Sequence, residues 1–262
     1  MTEDIAPVRN GWDLGIRDIL GMAWRNLVHI VRTPQLLVFS SIQPIMFVLL
    51  FRYVFGGAIK TPGGDYVDYL LPGIFVQTAL FGGASTAVGL SEDLKQGIVD
   101  RFRALPMARS AVLAGRTIAD LCRNVIVVLL MVAVGLLVGF RFHGSFVADI
   151  GAMGLVLLFG YTFSWVFAAV ALAVRDPETA QLAGFLPIFP LVFASSAFVP
   201  VQTMPTWLRD FANVQPVSVT IDAVRALVTG APVGHWLWQS FVWIAAILVV
   251  FVSIAISRYR TV

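Results

Sequence analysis

Six long apolar runs dominate the chain: Leu36–Phe55, Leu71–Leu90, Val125–Phe140, Ile150–Val174, Leu182–Val199 and Trp236–Ile256. A helix needs about 20 apolar residues to cross a hydrocarbon core, and each run is near that length. None alternates apolar with polar positions as the strands of a membrane barrel do, so six transmembrane helices are expected. The third run is the shortest, and a start inside the charged helix before it would bring it to full length.

Ahead of the first run, Ile16, Ile19, Leu20, Ala23, Trp24, Leu27 and Val31 recur at helical spacing, with Arg25, His29 and Arg32 on another face. The pattern predicts an amphipathic helix stopped at Thr33-Pro34. Such a helix either lies in the cytoplasmic interface, where Trp and Arg favour the headgroup layer, or packs on its own protein facing water. Between runs two and three the pattern turns polar. Ser91 is placed to cap a helix whose first turn holds Glu92 and Asp93. Ile98, Val99, Phe102 and Leu105 make one apolar stripe and Asp100, Arg101 and Arg103 point elsewhere, until Pro106 breaks the rod. A second helix is expected near Ser110, with Arg116, Asp120 and Arg123 on one polar face running toward span three. Two readings fit this stretch: a knob that transmits force from a soluble partner, or a solvated loop. After run five, Trp207, Leu208 and Phe211 form an aromatic group beside Arg209 and Asp210, and Thr220–Val228 reads as a helix closed by Gly230.

Composition agrees with the spans. The 262 residues are 58% hydrophobic and 13% charged, against about 25% charged in a soluble domain. Mean hydropathy is +0.86. The net charge of +3 is too small for a nucleic-acid surface and suits loops retained on the cytoplasmic side. Arg9, Arg17, Arg25 and Arg32 precede span one. Lys95, Arg101, Arg103, Arg109, Arg116 and Arg123 separate spans two and three, Arg175 follows span four, and Arg258 and Arg260 follow span six. Lys60, Arg141, Arg209 and Arg225 lie on the other side, with Arg52 near that end of span one. Both termini are therefore expected in the cytoplasm. No cleavable signal peptide is expected, because the first 32 residues are polar and mixed in charge. Cys122 is the single cysteine, and His29, His143 and His235 are too scattered for a metal framework.

Motifs for an internal energy source are missing. A Walker A loop would wrap phosphates with the amides of G-x-x-x-x-G-K-[ST], but Ile59 stands before Lys60-Thr61 and Gln96 follows Lys95. An ion-driven carrier would bury ionisable groups at the membrane midplane, and the six runs hold only Arg52, near an end. Hydrolase elbows and zinc-protease motifs are absent, and Ser195-Ser196 read as helix-packing hydroxyls. In span one, Ser40, Gln43 or Pro44, Phe47 and Phe51 share a face, and Pro44 removes a helix hydrogen bond. Most of the 20 phenylalanines read as lipid-facing or packed side chains. Gly135 and Gly139 form a G-x-x-x-G pair suited to close helix contact.

The run EDLKQGIVDRFRALPMARSAVLAGRTIADLCRN resembles the cytoplasmic signature of type-2 ABC exporter permeases, specifically their daunorubicin-resistance group. RTPQLLVFSSIQPIMFVLLFRYVFGGAI and YLLPGIFVQT resemble that family's first two spans, and SSAFVPVQTMPTWLRDFANVQPVSVTIDAVRAL its loop between the last two. Ile98-Val99 departs from the Thr-Leu or Phe-Leu of many relatives but stays apolar. The resemblance implies an all-α membrane protein of six transmembrane helices. Residues 1–34 would carry the amphipathic interfacial helix and residues 35–262 the transmembrane domain, with its coupling helix within 91–124 and short re-entrant outer-leaflet helices between Val201 and Val228. By position, Glu92, Gly97, Asp100, Arg101, Phe102, Arg103, Pro106 and Arg109 match the motif that docks on a separate ABC ATPase subunit, and Arg116 and Asp120 the helix returning to the membrane. The family lines its route with spans one and five of two protomers, which implies that Gln43, Phe47, Pro187 and Phe193 touch cargo. The expected protein is a permease subunit without cofactor of its own, since ATP and magnesium would sit on the partner. With a second permease copy or paralogue it would export a hydrophobic or amphipathic compound, drug or lipid, across a bacterial cell membrane, touching lipid and no nucleic acid. A non-transporting sensor or scaffold, and a glycan exporter of the same fold, are the alternatives.

Overall fold

The computed structural model describes residues 21–28, 32, 34–59, 65–97, 109–174 and 176–261. Among these there is no strand. A helical stretch covers 21–28. Nine longer helices follow: α1 (Pro34–Leu49, continued by a π-helical segment Leu50–Phe55), α2 (Tyr66–Gly82), α3 (Ala84–Lys95), α4 (Arg109–Val138), α5 (Phe146–Val174), α6 (Pro177–Phe193), α7 (Thr206–Val214), α8 (Pro216–Thr229) and α9 (Trp236–Thr261). Among the described residues, four helical spans are long and apolar enough to cross a membrane: Tyr66–Lys95 across the α2–α3 junction, Leu113–Val138, Phe146–Val174 and Trp236–Tyr259. Ser40–Phe55 is a shorter apolar helix.

Helix ends follow from local chemistry. Asp176 caps α6, its carboxylate accepting from the Thr179 N–H at 3.0 Å and hydroxyl at 2.8 Å, with Pro177 at the first helical position. Gly97 and Gly230 stop α3 and α8 with φ of +66° and +70°, a left-handed conformation that a side chain disfavours. Ser91 is not the cap that its neighbours suggest. α3 runs through it to Lys95, and Ser91 is fully buried inside the helix. The apolar residues ahead of it extend the same helix, so Glu92 and Asp93 sit in a last turn rather than a first one.

α5 is the hub of the molecule and packs against α2, α3, α4, α6, α8 and α9. Its contacts are close because its partners are small. A Cβ on Gly160 would lie 2.8 Å from the Ala79 carbonyl oxygen. Phe75, Phe159, Phe167, Leu71 and Leu172 fill the core around it. α9 packs on α5 and α8 and leaves Trp238 and Val249 exposed. The third apolar run is indeed longer than its uncharged part, because α4 starts at Arg109 and carries Arg116, Asp120 and Arg123 in one continuous rod. The G-x-x-x-G pair divides its work. Gly135 lets Leu71 approach to 3.0 Å of where a Cβ would be, while Gly139, with φ of +109°, lies beyond the helix end.

Candidate functional site

Three clusters concentrate the chemistry. The first joins α3, α4 and the 21–28 helix. Asp93 receives Arg116 at 3.1 Å and Arg25 at 3.5 Å. A turn deeper, Asp120 and Arg123 form a pair at 3.6 Å with both side chains almost wholly buried. Arg123 donates to the Ser85 hydroxyl and the Gly82 carbonyl, and Asp120 accepts from Thr86. Asn124 donates to the Ala79 carbonyl at 3.3 Å. These groups sit where charge is costly, so each must be matched by a donor or acceptor of the opposite kind. Room for them comes from glycine: a Cβ on Gly82 would overlap Asn124, and one on Gly89 would overlap the Arg116 guanidinium.

The second cluster is a row of rings between α1 and α6. Phe81 stacks on Phe185 at 5.3 Å, Phe185 reaches Phe189 at 6.4 Å, and Phe189 stacks on Phe193 at 5.4 Å. Phe193 meets Phe198 at 5.3 Å and Phe198 stacks on Phe51 at 4.5 Å. Phe47 touches Phe51, Phe193 and Phe198, and Phe55 ends the row at 5.3 Å from Phe51. The π-helical segment helps keep one column. A four-residue step overshoots a full α-turn and undershoots the wider π-turn, so Phe47, Phe51 and Phe55 stay on one side. Phe189 and Phe193 are 45% and 43% exposed, so the row is open along one edge.

The third cluster lies past the end of α6, where the chain turns at residues 194–199. Arg225 of α8 donates to the Ser196 carbonyl at 2.7 Å and the Tyr69 carbonyl at 3.1 Å, pairs with Asp222 at 2.5 Å, and covers the Tyr69 ring at 3.8 Å. Ser196 donates to Asp222 at 2.8 Å, Tyr66 donates to the Phe198 carbonyl at 2.8 Å, and Gln215 donates to the Leu191 and Ala194 carbonyls. Carbonyls freed by the end of α6 thus receive side-chain donors. Ser195 and Ser196 serve this packing, as their surroundings in the sequence suggested. Next to the cluster, α7 leaves Trp207 and Phe211 exposed on one face.

The predicted site residues separate into groups. Phe47 and Phe193 meet at 6.2 Å. Gln43 and Pro187 are exposed on α1 and α6. Arg116 and Asp120 belong to the buried network. Glu92 is exposed on the last turn of α3, Gly97 ends that helix, and Arg109 begins α4. Asp100, Arg101, Phe102, Arg103 and Pro106 lie outside the described residues. In the 21–28 helix, Met22 and Ala23 are buried and Trp24 is 69% exposed. Sequence reasoning missed Phe81, Phe185, Phe189 and Phe198 as members of the row. The four-residue spacing of Phe185, Phe189 and Phe193 was the available signal. It missed Ser85, Thr86 and Asp93 as partners of the α4 face, a pairing that spacing along one helix does not encode.

Long apolar helices packed around a buried polar brace define a multi-pass membrane protein. The ABC-2 type transporter family matches residues 17–229, and the chain belongs to that family. It is 34% identical over 238 residues to the "Daunorubicin resistance ABC transporter permease protein DrrB1" of Streptomyces coeruleorubidus, covering 90% of this chain and 84% of that one. It is 26% identical over 253 residues to the "Probable doxorubicin resistance ABC transporter permease protein DrrC" of Mycobacterium tuberculosis, covering 94% and 91%.

Proposed function

We propose that this chain is the membrane half of an ATP-driven exporter that moves a hydrophobic or amphipathic compound, a planar antibiotic or a lipid, out of the cytoplasm or inner leaflet. The observation that carries the proposal is the open row of phenylalanine rings between α1 and α6. Aromatic faces hold planar apolar cargo through many weak contacts, and no single contact is strong enough to trap it. In this reading α1 with its π-helical end, α2–α3, α4, α5, α6 and α9 are six spans in a bacterial inner membrane. Both termini are cytoplasmic and α7 and α8 dip into the outer leaflet. A second copy or a paralogue faces α1 and α6, closing the open edge of the row beside Gln43, Phe47, Pro187 and Phe193. A separate ATPase subunit, which carries the ATP and magnesium, docks on Glu92, Gly97, Asp100, Arg101, Phe102, Arg103, Pro106 and Arg109. The resistance to daunorubicin and doxorubicin in the relatives' names supports a polycyclic aromatic cargo.

The test is reconstitution in proteoliposomes with and without the ATPase subunit, using an intrinsically fluorescent anthracycline and a fluorescent phospholipid. Transport of either that requires ATP and both subunits is expected, with no hydrolysis by this chain alone. Movement driven by a proton or sodium gradient in the absence of the ATPase would overturn the proposal.

A further inference from the structure

The junction of α2 and α3 is an unusual place for an arginine to be buried. The helical ladder tightens there: the Gly83 N–H bonds the Leu80 carbonyl at 3.1 Å and the Thr86 N–H bonds the Gly83 carbonyl at 2.9 Å, each three residues back. Such a step inside a long span is a point at which the rod can flex. The Gly82 carbonyl accepts from the Ser85 hydroxyl at 2.9 Å and from Arg123. Arg123 comes from α4, about 15 Å along that rod from Leu113 at the 1.5 Å rise of an α-helix. Its guanidinium also holds Ser85, and its partner Asp120 holds Thr86. One ion pair on α4 therefore grips both sides of the tightened step. Closer to the end of α3, Arg116 grips Asp93 and reaches the Ser85 carbonyl at 3.4 Å. Glycine at 82 and 89 leaves the space that Asn124 and the Arg116 guanidinium occupy.

We infer that Arg123 is a positioning residue that pins the Gly82–Gly83 step of the second span and fastens α3 to α4, so that the two helices move as one stiff lever. The inference rests on the proposed function, because the lever matters only if an outside motor displaces it. It also explains the choice of arginine. A planar fork with several fixed donors spans a carbonyl, a hydroxyl and a carboxylate at once, which a lysine ammonium on a flexible stem does not.

The experiment uses the full chain with Cys122→Ser and spin labels on Lys95→Cys and Ile126→Cys, two exposed positions on α3 and α4. Interspin distances are measured in nanodiscs, and coupling, the cargo moved per ATP hydrolysed, is measured in proteoliposomes with the ATPase subunit. Arg123→Met is expected to broaden the distance distribution. It should also lower coupling about tenfold, the effect of losing one charge-assisted hydrogen bond from the coupled state. Arg123→Lys is expected to restore part of both. Arg123→Met combined with Asp120→Leu removes the unpaired charge and keeps the chain foldable. That double variant separates the two roles. If the pair merely neutralises itself, the distribution narrows again; if it pins the step, the distribution stays broad. A double variant with the wild-type distribution overturns the inference. If wild-type vesicles do not transport while Arg123→Met still broadens the distribution, the exporter reading fails and the pin stands.

Discussion

Replacing Arg225 with Met removes the charge that ties α8 to the end of α6 and the start of α2. Three groups lose their donor: the Ser196 carbonyl at 2.7 Å, the Tyr69 carbonyl at 3.1 Å and the Asp222 carboxylate at 2.5 Å. Asp222 keeps only its bond from Ser196 at 2.8 Å. Orphaning one member of a buried ion pair costs about 3–5 kcal/mol. The Arg225 and Asp222 side chains retain 15% and 21% exposure, which favours the lower end, about 3 kcal/mol. At ~2–4 °C per kcal/mol for a chain of this size, the apparent melting temperature falls by about 6–12 °C. Fluorescence-detected gel filtration of heated detergent samples reads this directly. The double variant Arg225→Met with Asp222→Leu should recover most of the loss, because it removes the stranded carboxylate. The same region carries Phe198, whose carbonyl is held by Tyr66, so Arg225→Met should also slow transport along the ring row. A single variant within about 1 °C of wild type would show that the Asp222 carboxylate is not stranded when Arg225 is lost, and the bracing role assigned to the pair would be refuted.

Phe198→Ala and Phe193→Ala should part company. Phe198 is 4% exposed, and its loss costs about 3–5 kcal/mol in thermal unfolding. Phe193 is 43% exposed, so its loss costs about 1 kcal/mol while raising the apparent KM for aromatic cargo. Gly97→Ala forces a side chain into the left-handed region at a cost of about 1–2 kcal/mol, and faster hydrogen exchange at residues 92–96 checks it. Gly97→Asn should be milder, since Asn tolerates that conformation. The Asp176 carboxyl is held below the ordinary carboxylate value, first by the Thr179 backbone N–H and then by its hydroxyl. Its folded pKa is depressed, so the cap stabilises the protein above the unfolded value, about 3.9, and the benefit disappears as pH falls through the folded value. The difference in melting temperature between wild type and Asp176→Ala should be constant from pH 5 upward and vanish at strongly acidic pH.

Most of the helical layout was legible, because membrane helices announce themselves by apolar length. The expected runs and the helices overlap at every one of the six places. What misled was the polar edge of a span. Ser91, Glu92 and Asp93 form a good helix start by composition, yet they close α3, because the apolar residues ahead of them continue the same rod. By contrast, the entry of Arg116, Asp120 and Arg123 into α4 was legible as a polar face running toward span three, and a neighbouring helix makes that charge tolerable by offering Ser85, Thr86 and Asp93. That pairing depends on which helices touch, which periodicity along one helix cannot report. The ring row was half visible: Phe47 and Phe51 stood out by their shared face and Phe193 through the family resemblance, but Phe198 lies in a turn, where no helical period points to it. The docking motif rests on its residue pattern, most of which falls at positions outside the described residues.

The placement of charge bears on how such a body can be driven. Among the described residues, Asp120 is the only acidic side chain that is fully buried, and it is already matched by Arg123, Thr86 and Ser85. An ion-driven carrier needs a carboxylate with a vacancy that a proton or a metal cation can enter and leave. A carboxylate held by a guanidinium and two hydroxyls has no such vacancy, and opening one would strand a buried arginine. At Asp120 the structure offers rigidity rather than exchange. α4 supplies the complementary property. Its 30 residues make a rod about 45 Å long that leaves the charged stretch and is braced to α3 along its first half. A push at Arg109 is transmitted by that rod at little cost in bending, and the brace passes it to α3. Fixed charges at the brace and a column of interchangeable aromatic contacts between α1 and α6 together favour mechanical displacement from outside over any chemistry carried out within the membrane.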